Sequence, residues 1–178
     1  MASFRSFDEQ SRENPCSGCP APCCRIQMLL YPKPSKFMDL DQTRYRLLAP
    51  GAELILSDTG DRLLLHWLTC SLFAEGTCSC SVHQTPAKPK VCVHANPWDC
   101  WFKLNFVGEV PQSIVRLDLA RFDAWLEAVK LGDDGVIESL PSFEQSREIV
   151  SPLPIQPSFR AIPLDDAAEV RQLDAKKG

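Results

Sequence analysis

The chain has 178 residues, of which 44% are hydrophobic and 24% charged, and its formal net charge is -4. These values predict one globular domain with a tail, and they disfavour nucleic acid as a partner because no dense basic run is present. Residues 1–14 form a polar leader, expected to be flexible, without the apolar region of a signal peptide. No apolar run is long enough for a membrane span, so we expect a cytoplasmic protein that does not bind membranes.

The segments taken in order predict a small, irregular α+β fold. Two apolar runs flank the turn sequence Asp58–Asp61, in which Gly60 supplies a positive φ, and they predict a β-hairpin. Near position 120 the apolar residues recur on one face of a helix, which Gly132 can end. The predicted elements are a strand at 25–31, a helix at 41–48, strands at 53–57 and 62–68, and a helix at 118–131.

The composition changes after Ser139, where prolines become frequent. We expect an extended segment at 140–178 that packs on the domain through Phe143, Ile155 and Phe159. The domain itself is predicted to span residues 15–139.

Nine cysteines, all between positions 16 and 100, are the most informative feature of the sequence. A reducing compartment makes persistent disulfides rare, and an odd number of cysteines leaves one thiol over in a disulfide scheme. We therefore predict that two groups of thiols converge on one or more metal centres and organise the domain. The first group is Cys16, Cys19, Cys23 and Cys24, and the second is Cys70, Cys78, Cys80, Cys92 and Cys100.

Spacing within the groups indicates which thiols can share an ion. Cys16 and Cys19 have the two-residue separation that lets both sulfurs reach one metal without strain. The adjacent side chains of Cys23 and Cys24 diverge, which favours two neighbouring centres or a multinuclear cluster over a single ion. Thiolates select zinc or iron–sulfur clusters over hard cations, and the spacing leaves open which of the two is bound.

The three histidines, His66, His83 and His94, are candidates for further ligands. His66 lies within a predicted strand, where a core or surface position is the simpler interpretation. His83 and His94 each follow a cysteine closely, so either could complete a mixed Cys/His site. No arrangement typical of a catalytic nucleophile is present, and the catalytic residues stay unassigned.

The motif Cys16-x2-Cys19-x3-Cys23-Cys24-Arg25 resembles the C-x2-C-x2/3-C-C-R opening of the YkgJ family of cysteine-cluster proteins. That family is described as zinc- or iron-chelating, and it continues with a cysteine, a Gly-containing turn and C-x-I-Y-x-x-R-P-x-x-C-R. Cys70 to Gly76 is similar to the first of these parts. In place of the family's C-x-I-Y and R-P-x-x-C segments, this chain has Cys80-Ser-Val-His83 and Lys88-Pro89-Lys-Val-Cys92.

The resemblance covers about residues 16–101 and implies metal binding rather than a particular reaction. A related cysteine cluster in the flagellin lysine methylase is associated with an iron–sulfur centre. This chain departs from the family pattern by adding Cys78 and by placing His83 where the family has an aromatic residue.

We expect a metal-binding protein whose zinc or iron–sulfur centre supplies stability and a surface for a protein partner. The alternative is an iron–sulfur or iron-dependent enzyme acting in oxidation, methyl transfer or modification of a partner. A disulfide-stapled interaction protein is the third interpretation. The expected ligands are Cys16, Cys19, one or both of Cys23 and Cys24, Cys70, Cys80 and Cys92, followed by Cys78 and Cys100.

Overall fold

The computed structural model describes residues 19–74, 79–83, 85–95, 99–106 and 113–153. Their helices are α1 Phe37–Leu47, α2 Lys90–His94, α3 Trp101–Phe106, α4 Leu119–Leu126 and α5 Phe143–Val150, with a 3₁₀ turn at Pro22–Cys24. Their strands are β1 Gln27–Leu30, β2 Ala52–Ser57, β3 Arg62–His66, β4 Phe73–Ala74, β5 Ser79–Cys80, β6 Ile114–Leu117, β7 Lys130–Leu131 and β8 Ile137–Ser139.

The prediction of an α+β fold is confirmed, while its organisation by metal stays a prediction. The chain divides into two compact units. The first contains residues 1–26, 69–111 and 161–178, and the second contains 27–68 and 112–160. The longest helix of the described part, α1, has eleven residues, so none of the helices described could cross a bilayer.

A four-stranded antiparallel sheet, in the order β1-β3-β2-β6, forms the centre of the second unit. The predicted hairpin is confirmed: β2 pairs with β3 so that Leu54 lies opposite Leu64, and Gly60 in the connecting turn has a φ of 90°. Glycine adopts this conformation without the steric cost that a β-carbon would add.

Helices α1, α4 and α5 cover one face of this sheet. Side chains alternate between the faces of a strand, so Leu54 and Leu56 point to the helices, where they pack with Phe122 and Trp125. The indole Nε1 of Trp125 donates a 2.8 Å hydrogen bond to the hydroxyl of buried Ser146 in α5. This contact gives the only polar atom of the indole ring a partner inside the core.

The opposite face of the sheet is also buried, and it carries an ion pair. Glu53 and Arg116 are 0% and 4% exposed, and two hydrogen bonds of 2.6 and 2.7 Å join the guanidinium to the carboxylate. The indole of Trp67 donates a third hydrogen bond, of 2.8 Å, to the same carboxylate. Burial on both faces of β2, whose first five residues are all buried, explains why this strand does not alternate between apolar and polar residues.

The predicted helix at 118–131 is too long. Asp118 caps α4 by accepting a hydrogen bond from the amide of Arg121, but the helix ends at Leu126. The chain then turns into β7, which pairs with β8. Gly132 therefore belongs to a hairpin turn with Gly135, whose φ is 75°, and it does not end a helix. Val129 keeps the spacing of the apolar residues of the helix, but the turn after α4 also packs this side chain on the core. The spacing alone therefore does not show where the helix ends.

The prediction of an extended segment from residue 140 is wrong for Phe143–Val150, which form α5. Ser142 accepts a hydrogen bond from the amide of Gln145, whose side chain accepts one from the amide of Ser142. This capping box starts the helix directly after Pro141. Phe143 packs on the core as predicted, whereas Ile155 and Phe159 lie outside the described residues.

In the first unit, β4 and β5 form a two-stranded antiparallel sheet, and α3 packs against the 3₁₀ turn. Helix α2 buries none of its side chains. All the described cysteines belong to this unit.

Candidate metal centre

The 3₁₀ turn places Cys23 and Cys24 at the surface of the first unit. Prolines on both sides of Ala21 prevent a regular helix, and Ala21 adopts a left-handed conformation with a φ of 51°. The turn closes when the amide of Cys24 donates a 2.9 Å hydrogen bond to the carbonyl of Ala21. The left-handed conformation is uncommon for a residue with a β-carbon, and such backbone strain is concentrated at functional sites.

Arg25 connects the turn to β4. Its Nε donates a 3.2 Å hydrogen bond to the carbonyl of Pro20, and its guanidinium carbon lies 4.9 Å from the centre of the Phe73 ring. The Arg25 side chain therefore contacts both the start of the 3₁₀ turn and the buried ring of Phe73. This contact gives a structural role to the arginine that follows the paired cysteines.

Backbone contacts bring thiols of the two sequence groups together. The amide of Cys70 donates a 2.7 Å hydrogen bond to the carbonyl of Cys24, and its own carbonyl accepts one of 3.0 Å from the amide of Phe73. Phe73 lies directly opposite Cys80 in the β4–β5 pair. Backbone contacts thus connect Cys24, Cys70 and Cys80, and electrostatic interaction with Cys70 and Cys80 contributes to raising the pKa of Cys24.

The thiols of the adjacent residues Cys23 and Cys24 shift each other's pKa in opposite directions. Donation by the Cys24 thiol is the main reason that the pKa of Cys23 is lowered to about 6, although partial desolvation opposes the shift. The positive charges of Lys103 and Lys88 act in the same direction as the hydrogen bond. The pKa of Cys24 is raised correspondingly, because its proton is held by the Cys23 thiolate and its surroundings are partly buried.

The other predicted ligands occupy different positions. Cys19 is 7% exposed, on the loop that leads into the 3₁₀ turn. Cys92 is exposed on α2, and Cys100 is half-buried immediately before α3. The contacts that connect Cys24, Cys70 and Cys80 do not include Cys92 or Cys100. Cys16 and Cys78 lie outside the described residues.

The histidines also differ in their surroundings. The amide of His83 donates a 3.0 Å hydrogen bond to the carbonyl of Cys80, and its ring Nδ1 lies 3.3 Å from the ammonium of Lys88. His94 is the exposed last residue of α2. His66 is half-buried on β3, in the second unit, opposite Ala52.

The seven described cysteines are thiols rather than disulfides. Within the described ranges, no three cysteine, histidine or acidic side chains are already arranged to hold a metal ion. Thiolates are nevertheless the donors that soft metals prefer, and the backbone segments that carry Cys24, Cys70 and Cys80 contact one another in this unit.

Sequence reasoning missed the two lysines whose charges act on Cys23. Lys103 lies in α3 and is 8% exposed, so it is buried far more deeply than most lysines. Helix α3 has only six residues, too few for a periodic pattern to indicate which face is buried. In the sequence, Lys88 stands where the family pattern has an arginine, and nothing local indicates that its charge acts on Cys23.

The fold and these contacts define an α+β protein with a cluster of thiols beside two lysines. Comparison of the chain with protein-family models, with curated proteins and with solved structures found no match.

Proposed function

We propose that the protein binds zinc or an iron–sulfur cluster through thiolates of the first unit. The observation that carries this proposal is the hydrogen bond from Cys70 to Cys24, since it connects the two cysteine groups of the sequence. Cys80 joins them through its pairing with Phe73, which follows Cys70 closely. Cys19 is placed among the ligands because it is buried on the same loop.

The different pKa values of Cys23 and Cys24 make metal binding depend on pH. Cys23 provides a thiolate near neutral pH, whereas Cys24 keeps its proton. A metal that takes both sulfurs must displace the proton of Cys24, so its affinity rises with pH and its binding releases protons. A closed all-thiolate site would add folding free energy to a unit whose α2 buries no side chains.

The resemblance to the YkgJ family supports the same proposal and leaves the reaction open. We propose a cytoplasmic protein in which the metal stabilises a surface for a protein partner. The iron-dependent enzyme remains the alternative, and it is distinguished by an oxygen-sensitive cluster with an open coordination position.

Purification without air tests the proposal directly. The protein's visible spectrum is recorded, and zinc, iron and acid-labile sulfide are measured per chain. Iron and sulfide with absorption near roughly 400 nm indicate a cluster, and zinc in a colourless protein indicates a structural site. Cys70→Ser and Cys80→Ser are expected to lower the metal content, whereas Ser71→Ala, a change at the exposed neighbour of Cys70, leaves it unchanged. Absence of both metals from the purified protein contradicts the proposal.

A second candidate is thiol chemistry in the metal-free protein. Cys23 is exposed and its pKa is about 6, which are the properties of a reactive cysteine. In this candidate the Cys23 thiolate attacks a disulfide of a partner, expels one partner thiolate and forms a mixed disulfide. Cys24 then loses its proton and attacks the Cys23 sulfur, which expels the second partner thiolate and leaves a Cys23–Cys24 disulfide. A mixed disulfide trapped in Cys24→Ser but not in Cys23→Ser would support this candidate.

A further inference from the structure

Helix α1 of the second unit presents large apolar side chains to solvent. The residues that it buries lie on one face and pack toward the core: Leu40, Thr43 and Leu47. The opposite face of such a helix is expected to be polar. In α1 that face carries Met38, Tyr45 and Leu48, which are 60%, 75% and 56% exposed. A group of exposed apolar side chains on one helix face indicates an interaction surface.

The exposed residues have the spacing of a coiled-coil seam. Met38, Asp41, Tyr45 and Leu48 follow one another at intervals of three, four and three residues, which places them in one stripe along the helix. Leu48, the C-cap of α1, keeps helical backbone angles and therefore continues the stripe. Asp41 is the one charged member, and its carboxylate needs a polar partner once the stripe is covered.

The position of Asp41 determines how two copies of α1 can pair. In a parallel pair, equal positions face each other, so Asp41 would lie against the partner's Asp41 and the two charges would repel. In an antiparallel pair with Met38 opposite the partner's Leu48, Asp41 lies opposite the partner's Tyr45. The phenol is a hydrogen-bond donor that suits a carboxylate. The stripe is therefore complementary to itself only in the antiparallel direction.

The other charges of α1 favour the same direction. Asp39 and Arg44 have partners within the chain, because the amides of Ser35 and Lys36 donate to the carboxylate and Arg44 pairs with Asp123. Arg46 is exposed near the C-terminal end of the helix. An antiparallel partner brings its own Asp41 close to this guanidinium, because the partner's Tyr45 and Asp41 positions are exchanged along the stripe. Opposite charges thus meet on both sides of the pair.

We propose that α1 is the interface of a homodimer, in which two copies pair antiparallel through Met38, Asp41, Tyr45 and Leu48. Each Asp41 carboxylate accepts a hydrogen bond from the partner's Tyr45 hydroxyl, and the two-fold symmetry makes this contact twice. The helix has eleven residues, so the seam is short and the dimer should dissociate in the micromolar range. The proposal concerns the second unit and does not depend on metal binding by the first.

Sedimentation equilibrium of the full chain, with any metal that it carries after purification left in place, tests the proposal. The wild type should change from monomer to dimer as its concentration rises through the micromolar range. Tyr45→Glu places a carboxylate opposite the partner's Asp41 and should weaken the dimer about 10-fold or more. Tyr45→Lys removes the same aromatic ring but offers Asp41 a positive charge, so it should weaken the dimer less than Tyr45→Glu does.

A charge exchange tests the pairing itself. Asp41→Lys combined with Tyr45→Glu again places opposite charges across the seam, and it should recover most of the affinity lost in Tyr45→Glu. Asp58→Lys, at an exposed turn position outside α1, is the control and should dimerise as the wild type does. Both substituted positions of α1 are exposed, so the variants should keep the circular dichroism spectrum of the wild type.

Three outcomes would overturn the proposal. The first is a wild type that stays monomeric at millimolar concentration. The second is a dimer that Tyr45→Glu does not weaken, which shows that the interface lies elsewhere. The third is a dimer that Tyr45→Glu and Tyr45→Lys weaken equally, without recovery in the double variant, since Asp41 then does not face the partner's Tyr45.

Discussion

The amide of Cys70 donates a 2.7 Å hydrogen bond to the carbonyl of Cys24. The two residues are far apart in sequence, and the bond fixes the backbone of one thiol group against the other. Because the contact is made by backbone atoms, it places both side chains without depending on either thiol. The backbone of the first unit thus holds these two cysteines next to each other.

Replacement of Cys19 by serine is the first prediction. Cys19 is buried beside the 3₁₀ turn, so Cys19→Ser should remove a metal ligand and place a hydroxyl where a less polar thiol was packed. Metal content and the yield of folded protein should fall together. The exposed serine variant Ser81→Ala should change neither. Full metal content in Cys19→Ser would contradict the assignment of this residue as a ligand.

The pH dependence of Cys23 in the metal-free protein is the second prediction. Because its pKa is lowered to about 6, the thiolate should be present above that pH and be lost as the pH falls through it. The rate of alkylation by iodoacetamide at Cys23, followed by mass spectrometry, should rise with a midpoint near 6.

Removal of the neighbouring thiol provides the control for this prediction. The hydrogen bond from Cys24 is the main cause of the lowered pKa, so Cys24→Ala should move the midpoint upward, toward the ordinary range of a cysteine. Unchanged midpoints in the two proteins would show that the hydrogen bond does not control Cys23.

The buried pair of Glu53 and Arg116 is the subject of the third prediction. Glu53→Gln removes the carboxylate charge that pairs with the buried guanidinium of Arg116, and loss of one partner of a buried pair costs about 3–5 kcal/mol of the free energy of unfolding. Urea denaturation measures the loss. Asp123→Asn breaks the ion pair of Asp123 with Arg44, whose side chains are 39% and 46% exposed, and should have little effect. Equal losses in the two variants would contradict the importance of burial.

The hydrogen bond between Trp125 and Ser146 gives the fourth prediction. Ser146→Ala leaves the buried indole N–H without its acceptor, at a cost of about 1–3 kcal/mol. The midpoint of urea denaturation should fall accordingly. Ser139→Ala, at an exposed position of β8, should leave the midpoint almost unchanged. A stable Ser146→Ala protein would mean that another acceptor replaces the hydroxyl.

The sequence predicts best those elements whose ends are marked by residues with a specific turn or capping role. The turn around Gly60 predicted the β2–β3 hairpin, because only residues that tolerate positive φ fit there. Ser142 and Gln145 form the capping box of α5, a local signal for a helix start within a region whose frequent prolines favour an extended chain. The end of α4 could not be read from the spacing of its apolar residues, since tight turns also bury them.

The sequence by itself determined that this chain carries two groups of thiols with the spacing of metal ligands, because ligand type and short spacing are local properties. Only the tertiary structure decided that Cys24, Cys70 and Cys80 are connected and that Lys103 is buried beside the 3₁₀ turn. These relationships join residues far apart in the chain. They depend on strand pairing and helix packing, and the burial of one lysine among many has no signature in the sequence.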